Sequence, residues 1–173
     1  MFIYKYLFSN NYLIKLLIML SYIFTFLLIQ SFLFGQIKEV DLSIDSRNIK
    51  TNSKLYLEQL KKDIKFYILS NNFLETTEEV EIHLDINIII ESISNNIISA
   101  HVLFSNRLDQ ILFSDGIDFE YDLGQSLLYS TTYNSLTSFL NYNIFIMIAG
   151  ELDKYNYKGG ENYYIRSEDI AFQ

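Results

Sequence analysis

Four carboxylates fall within eight residues of this chain, at Asp115, Asp118, Glu120 and Asp122. The last three alternate with Ile117, Phe119, Tyr121 and Leu123, which sets the acids on one face of a strand. Carboxylates gathered on one face can exchange protons as acid and base, or bind calcium. The glycine and the distal glutamate of an EF-hand loop are missing, however. A solvated strand face accounts for the pattern without further assumption, with a weak calcium site as its competitor. His83 and His101 raise the possibility of a metal. In the register argued below, His101 faces Ile89 and His83 lies six residues further along the strand. At ~3.3 Å per residue the rings are about 20 Å apart, too far to share an ion. Both are expected on the polar face of a sheet. Ser126, Ser130, Thr131 and Thr132 lack the G-x-S-x-G context of a nucleophile elbow. In Lys158-Gly159-Gly160 the lysine precedes the glycines, unlike a phosphate-binding loop. Cysteine is absent, which removes thiolate nucleophiles, thiolate metal sites and disulfides. No catalytic, cofactor-binding or metal-ligating residue is therefore assigned, and no cofactor is expected.

The elements that must position these side chains follow from periodicity. Val40, Leu42 and Ile44 alternate with Asp41, Ser43 and Asp45 in a half-buried strand. Ser53 is a candidate N-cap for a helix from Lys54 to about Leu69, with Leu57, Leu60, Ile64, Tyr67 and Ile68 as its apolar stripe. Val80 to Ser92 sets Val80, Ile82, Leu84, Ile86, Ile88 and Ile90 on one face, and Ile98, Ala100, Val102 and Phe104 continue the pattern in a partner strand. Both apolar sets are even-numbered, so paired residues must sum to an even number. A three-residue loop with Asn96 left-handed satisfies this; a two-residue loop on 95–96 does not. Gly116 to Leu123 reads as a further strand. Asn134 can cap a second helix running to about Ala149, with Gly150 at its C′ position. That helix is interrupted by Asn141 and Asn143 and is short for a bilayer span, so it is expected in the core. Tyr163-Tyr164-Ile165 begins another element. The order β, α, β, β, β, α argues for an α+β domain: an antiparallel sheet with helices on one face.

The first 35 residues hold Lys5 and Lys15, no acid, and an apolar run from Leu16 to Phe34. Charges begin directly afterwards, at Lys38, Glu39 and Asp41. That is the layout of a secretory signal, with cleavage expected after Gly35 and Gln36 as the mature start. The 20 uncharged residues from Leu16 to Gly35 are also long enough for a retained anchor, in which case the chain would be membrane-attached. Cleavage leaves a single domain, 36–173, of 138 residues, enough for a core. Residues 71–153 carry 13 acids and one base, Arg107. Such a surface repels nucleic acid and anionic lipid headgroups. Tyrosine and phenylalanine occur 14 times each, but most of them fall on core periodicity.

The mature chain resembles the PorD-type family of type IX secretion components. The resemblance is carried by Leu42-Ser43-Ile44, by Thr51-Asn52 through the first helix to Phe66, and by Asn71-Asn72-Phe73. Ile86-Asn87-Ile88, Ser105-Asn106-Arg107 and Asp118-Phe119-Glu120-Tyr121 follow. The most specific stretches are Asn134 to Ser138, Ala149-Gly150-Glu151-Leu152-Asp153, Lys158-Gly159-Gly160 and Tyr163-Tyr164. Leu108 stands where the family usually has proline, and the segment from Arg107 to Asp118 is shorter. Family members run on to roughly twice the mature length, so the chain looks like the N-terminal half. The resemblance implies export to the periplasm of Gram-negative bacteria. It also implies binding to secretion-machinery proteins of the periplasm or outer membrane, without catalysis. An exported adhesin or carbohydrate-binding domain is the alternative. An exported hydrolase ranks third, lacking a triad or metal set.

Overall fold

The computed structural model describes residues 37–47, 49, 54–74 and 81–173, together with 15 and 17–22. The chain divides into two units, Met1–Phe34 and Gly35–Gln173. In the first, residues 17–22 are helical. The expected cleavage point at Gly35 and the Ser53 cap lie outside the described residues.

The second unit runs β1 (Ile37–Asp45), α1 (Lys54–Ser70), β2 (Ile82–Ser94), β3 (Ile97–Ser105), β4 (Ile111–Glu120), α2 (Ser135–Leu152) and α3 (Glu161–Ala171). The strands form one sheet in the order β1-β2-β3-β4. The class is α+β with helices packed on the sheet, as periodicity predicts. The sheet is mixed rather than wholly antiparallel, because β1 pairs with β2 in parallel. Helix α1 accounts for this. Its 17 residues span about 25 Å at 1.5 Å each, and the nine of β1 span about 30 Å. The helix therefore returns the chain to the end of the sheet where β1 began, so β2 starts off in the same direction.

Val40 and Leu42 of β1, Ile82 to Ile90 of β2 and Ile98 to Phe104 of β3 bury their even-numbered side chains. The α1 stripe Leu57, Leu60, Ile64, Tyr67 and Ile68 is buried as expected. Asn134 caps α2, accepting from Thr137 N at 3.0 Å. Asn141 does not interrupt the helix; it is buried and accepts from the Tyr67 hydroxyl at 2.7 Å, tying α1 to α2. Among the described residues, no helix is long and apolar enough to cross a membrane.

Two bulges set the register. The β2–β3 turn is a two-residue loop, Asn95 and Asn96, with φ of 50° and 65°. Positive φ at both positions is what a tight hairpin needs, and asparagine tolerates it. The expected three-residue loop is therefore not used. The even-sum pairing survives because the ladder shifts between Ile90 and Ser92, leaving Glu91 as an extra residue. Past this bulge Ile93, not Ser92, packs against the core. A second bulge falls in β4, where Ala100 faces Ile117 but Val102 faces Ser114. Gly116 sits there with φ of 90°. The inward set changes from Leu112 and Ser114 to Ile117 and Phe119. Alternation is thus legible only past Gly116, and the strand begins at Ile111 rather than at Gly116.

Candidate functional site

The carboxylates of the β4 segment do not converge. Asp118 accepts from Ser99 Oγ at 2.5 Å. Asp122 lies past the end of β4 and accepts from the Asn96 side chain, pinning the β2–β3 turn. Asp115, at the bulge, stands 3.1 Å from His101 Nδ1 without hydrogen-bond geometry. His101 Nε2 lies 2.7 Å from Glu91, and His83 Nδ1 lies 3.2 Å from Glu39. His101 pairs with Ile89, as the parity argument requires. Each histidine has its own carboxylate, and among the described residues no group of three or more acids and histidines is placed to hold a metal ion.

What the fold does bring together is the β3–β4 connection and the C-terminal end of α2. Asn106, 6% exposed, accepts at Oδ1 from the backbone N–H of Leu108, Asp109 and Gln110 at 3.0, 3.1 and 3.0 Å. Its Nδ2 donates to Asp109 at 3.0 Å and to Glu151 at 3.3 Å. Lys154 Nζ donates to both Asp109 and Glu151 at 2.7 Å. The Lys154 ammonium, followed by the Asn106 amide, holds the Asp109 carboxyl below its ordinary value. Burial would lower Lys154, but Asp109 and Glu151 outweigh it and raise the ammonium.

Gln110 completes the junction. With its amide oriented to satisfy both ends, Nε2 donates to Met147 O at 3.1 Å and Oε1 accepts from Glu151 N at 3.0 Å. These are the acceptor and donor of one helical turn. Gly150 makes room for this side chain: a Cβ there would lie 2.6 Å from the nearer end of the Gln110 amide. Gly150 is therefore inside α2, which runs on to Leu152, and is not a C′ residue. Its lack of a side chain serves close approach rather than helix termination.

Helix α3 docks on the same end of α2. Gly160 N donates to Asp153 Oδ1 at 2.8 Å. A Cβ on Gly160 would meet Ala149 O at 2.2 Å, so the two backbones touch where only glycine fits. The left-handed residue of the turn is Lys158, with φ of 60°. Burial, and then Asp153, raise the Tyr164 phenol.

Arg107, left-handed at φ 64°, turns from this junction onto the opposite face of the sheet. Its Nε donates to Asp85 at 2.7 Å, and its Nη2 to Asp41. The Asp85 hydrogen bond is the main reason the guanidinium is held above its ordinary value. One side chain thus clasps β1 and β2 from the β3–β4 connection.

Two clefts flank β4 beside these helices. One, about 460 Å³, lies between Asp109–Leu112 and Ile146, Gly150 and Tyr164. The other, about 380 Å³, has Ile117 and Asp118 on one side and Phe139, Tyr142 and Ile170 among its other walls. The polar groups of the junction bond one another and shape the first cleft, so this geometry suits binding by fixed form. Sequence reasoning missed Gln110 and Lys154; it placed an element at Tyr163-Tyr164-Ile165 but neither its helical type nor its start at Glu161. Tyr163, Ser167 and Ile170, inward or half-inward at helical spacing after a glycine pair, were the available signal for α3. Nothing in local sequence marks a glutamine that bonds a distant helix. No protein-family model, no curated protein and no solved structure matches this chain.

Proposed function

We propose that this chain is an exported accessory or assembly component of type IX protein secretion that acts by binding protein partners. The observation that carries the reading is a convergence. Ser105-Asn106-Arg107, Ala149 to Asp153 and Lys158-Gly159-Gly160, all segments that carry the family resemblance, meet through Asn106–Glu151 and Gly160–Asp153. Gly150 and Asp153 of these segments line a cleft, and Arg107 reaches from them across the sheet to Asp85. Stretches that bear a resemblance together and build one surface are what a shared docking role would require. The test is affinity capture from the bacterial envelope with the full chain as bait, read by mass spectrometry. The expected result is enrichment of a type IX secretion subunit, and enrichment lost in Asn106→Ala. Recovery of no such subunit would overturn the reading. Export is tested by N-terminal sequencing, with Gln36 expected as the first residue.

A second reading, an exported carbohydrate-binding domain, is favoured by the cleft that groups Tyr133, Tyr142 and Phe139 with Asp118, Ser135 and Ser138. Aromatic faces beside a carboxylate and hydroxyls can hold a sugar ring. A glycan array with no signal would remove it.

A further inference from the structure

Strand β4 is an edge of the sheet. Its backbone pairs with β3 on one side. Among the described residues, no backbone hydrogen bond reaches its other side. Beside that side lie the two clefts, each with β4 as one wall and α2 and α3 contributing the others. Leu112 lines the first and Ile117 the second. They pair with Phe104 and Ala100, four residues apart on β3, so the clefts stand about 13 Å apart along the strand. The opposite face of β4 carries Ile111 and Phe113, 69% and 61% exposed, and then Asp115, Asp118 and Glu120.

We propose that β4 is a docking edge for an extended segment of a partner protein, which adds as a fifth strand. Apolar side chains of that segment enter the two clefts, about four residues apart by the ~3.3 Å strand rise. Its other side chains lie on the open face and are basic where they meet Asp115, Asp118 and Glu120. Charge decides the occupant. The one lysine or arginine within residues 71–153, Arg107, is engaged by Asp85 and Asp41; Asp115 has beside it only the His101 ring, outside hydrogen-bond geometry, and Asp118 only the Ser99 hydroxyl. A second copy of β4 would set acid against acid across the new pair, which is destabilising. Bulges and charges on an edge strand repel unspecific pairing, and here they would select a basic strand over others. The inference rests on the binding reading above and specifies its chemistry.

The experiment uses the full chain in mild detergent and a synthetic ten-residue peptide of alternating lysine and valine. Amide hydrogen exchange is followed across β4, with affinity measured by fluorescence anisotropy. The lysine peptide is expected to slow exchange in Ile111–Glu120 at least tenfold. A glutamate–valine peptide should give no protection. Nor should the lysine peptide methylated on alternate backbone nitrogens, in either phase, because it keeps the charge but cannot pair. The variant Asp115→Asn/Asp118→Asn/Glu120→Gln should bind at least tenfold more weakly with an unchanged circular dichroism spectrum. Equal binding by the methylated peptides, or protection confined to β1 or the helices, would overturn the proposal, whatever the variant does. The two readings fail separately. Protection of β4 without capture of a secretion subunit removes the secretion role and leaves the docking edge. Capture with β4 unprotected does the reverse.

Discussion

Asn106 uses both ends of its amide. Its oxygen accepts three backbone N–H groups in the loop, while its nitrogen donates to Asp109 and Glu151. Asn106→Ala strands those donors at a site that is nearly closed to water. An unmet buried polar group costs about 1–3 kcal/mol, so a loss of about 3 kcal/mol in unfolding free energy is expected from urea denaturation. Asn106→Asp separates two explanations. It keeps the acceptor for the loop but sets a carboxylate against Asp109 and Glu151. If loop capping were the whole role, aspartate would restore stability. The expected result is that it restores little, because the repulsion falls where the amide nitrogen had bridged.

At the scale of elements, the β2 bulge sets the pairing of the hairpin. A two-residue turn alone gives odd-sum pairing, which would oppose the core face of β2 to the wet face of β3. Glu91 restores the parity by standing unpaired. Deleting Glu91 takes out the extra residue itself: Ser92↔Ser99 is then followed directly by Ile90↔Ala100, and the core faces of both strands are kept. The deletion should therefore retain cooperative thermal unfolding. Loss of the transition on deletion would refute this account. The same bulge marks how far the sequence could be read. The helix stripes and the core faces of β2 and β3 were legible, because burial on one face leaves its period in the residue order. The Ile89–His101 pairing was legible from parity, yet the means of achieving it was not. A bulge and a three-residue loop satisfy the same arithmetic, and the choice depends on side chains from both strands. The first half of β4 was hidden because its inward phase reverses at Gly116. Gly150 was misread as a terminator because its neighbour Gln110 comes from 40 residues earlier in the chain. The junction of Asn106, Gln110 and Glu151 is tertiary, and no local spacing encodes it.

Across the whole molecule, the helix layer is tied to itself and to the end of the sheet by tyrosine hydroxyls. Tyr67 of α1 donates to Asn141 of α2 at 2.7 Å. Tyr121, just past β4, donates to Asp63 of α1 at 2.5 Å, and Tyr56 of α1 donates to the Tyr121 carbonyl at 2.5 Å. Burial pushes the Tyr67 phenol up from 10.0 to about 12, and burial followed by the Asp63 hydrogen bond pushes Tyr121 up as well. Both groups keep their proton in the folded state at pH values where the unfolded chain has lost it. Between pH 10 and about 12 the native state therefore binds more protons, and stability falls as pH rises. The contribution is fully present below pH 10 and is lost as pH passes through the folded value. Urea midpoints should therefore hold level from neutral pH to about 9 and decline above 10. Tyr67→Phe supplies the control. It leaves the Asn141 oxygen without its donor, which should cost about 1–3 kcal/mol at pH 7. It also removes one of the upward-shifted phenols, so the decline above pH 10 should become shallower. An unchanged slope would mean that Tyr67 titrates alike in the folded and unfolded chain. The alkaline decline would then rest on the other raised phenols, Tyr121 beside Asp63 foremost, and Tyr121→Phe should make it shallower.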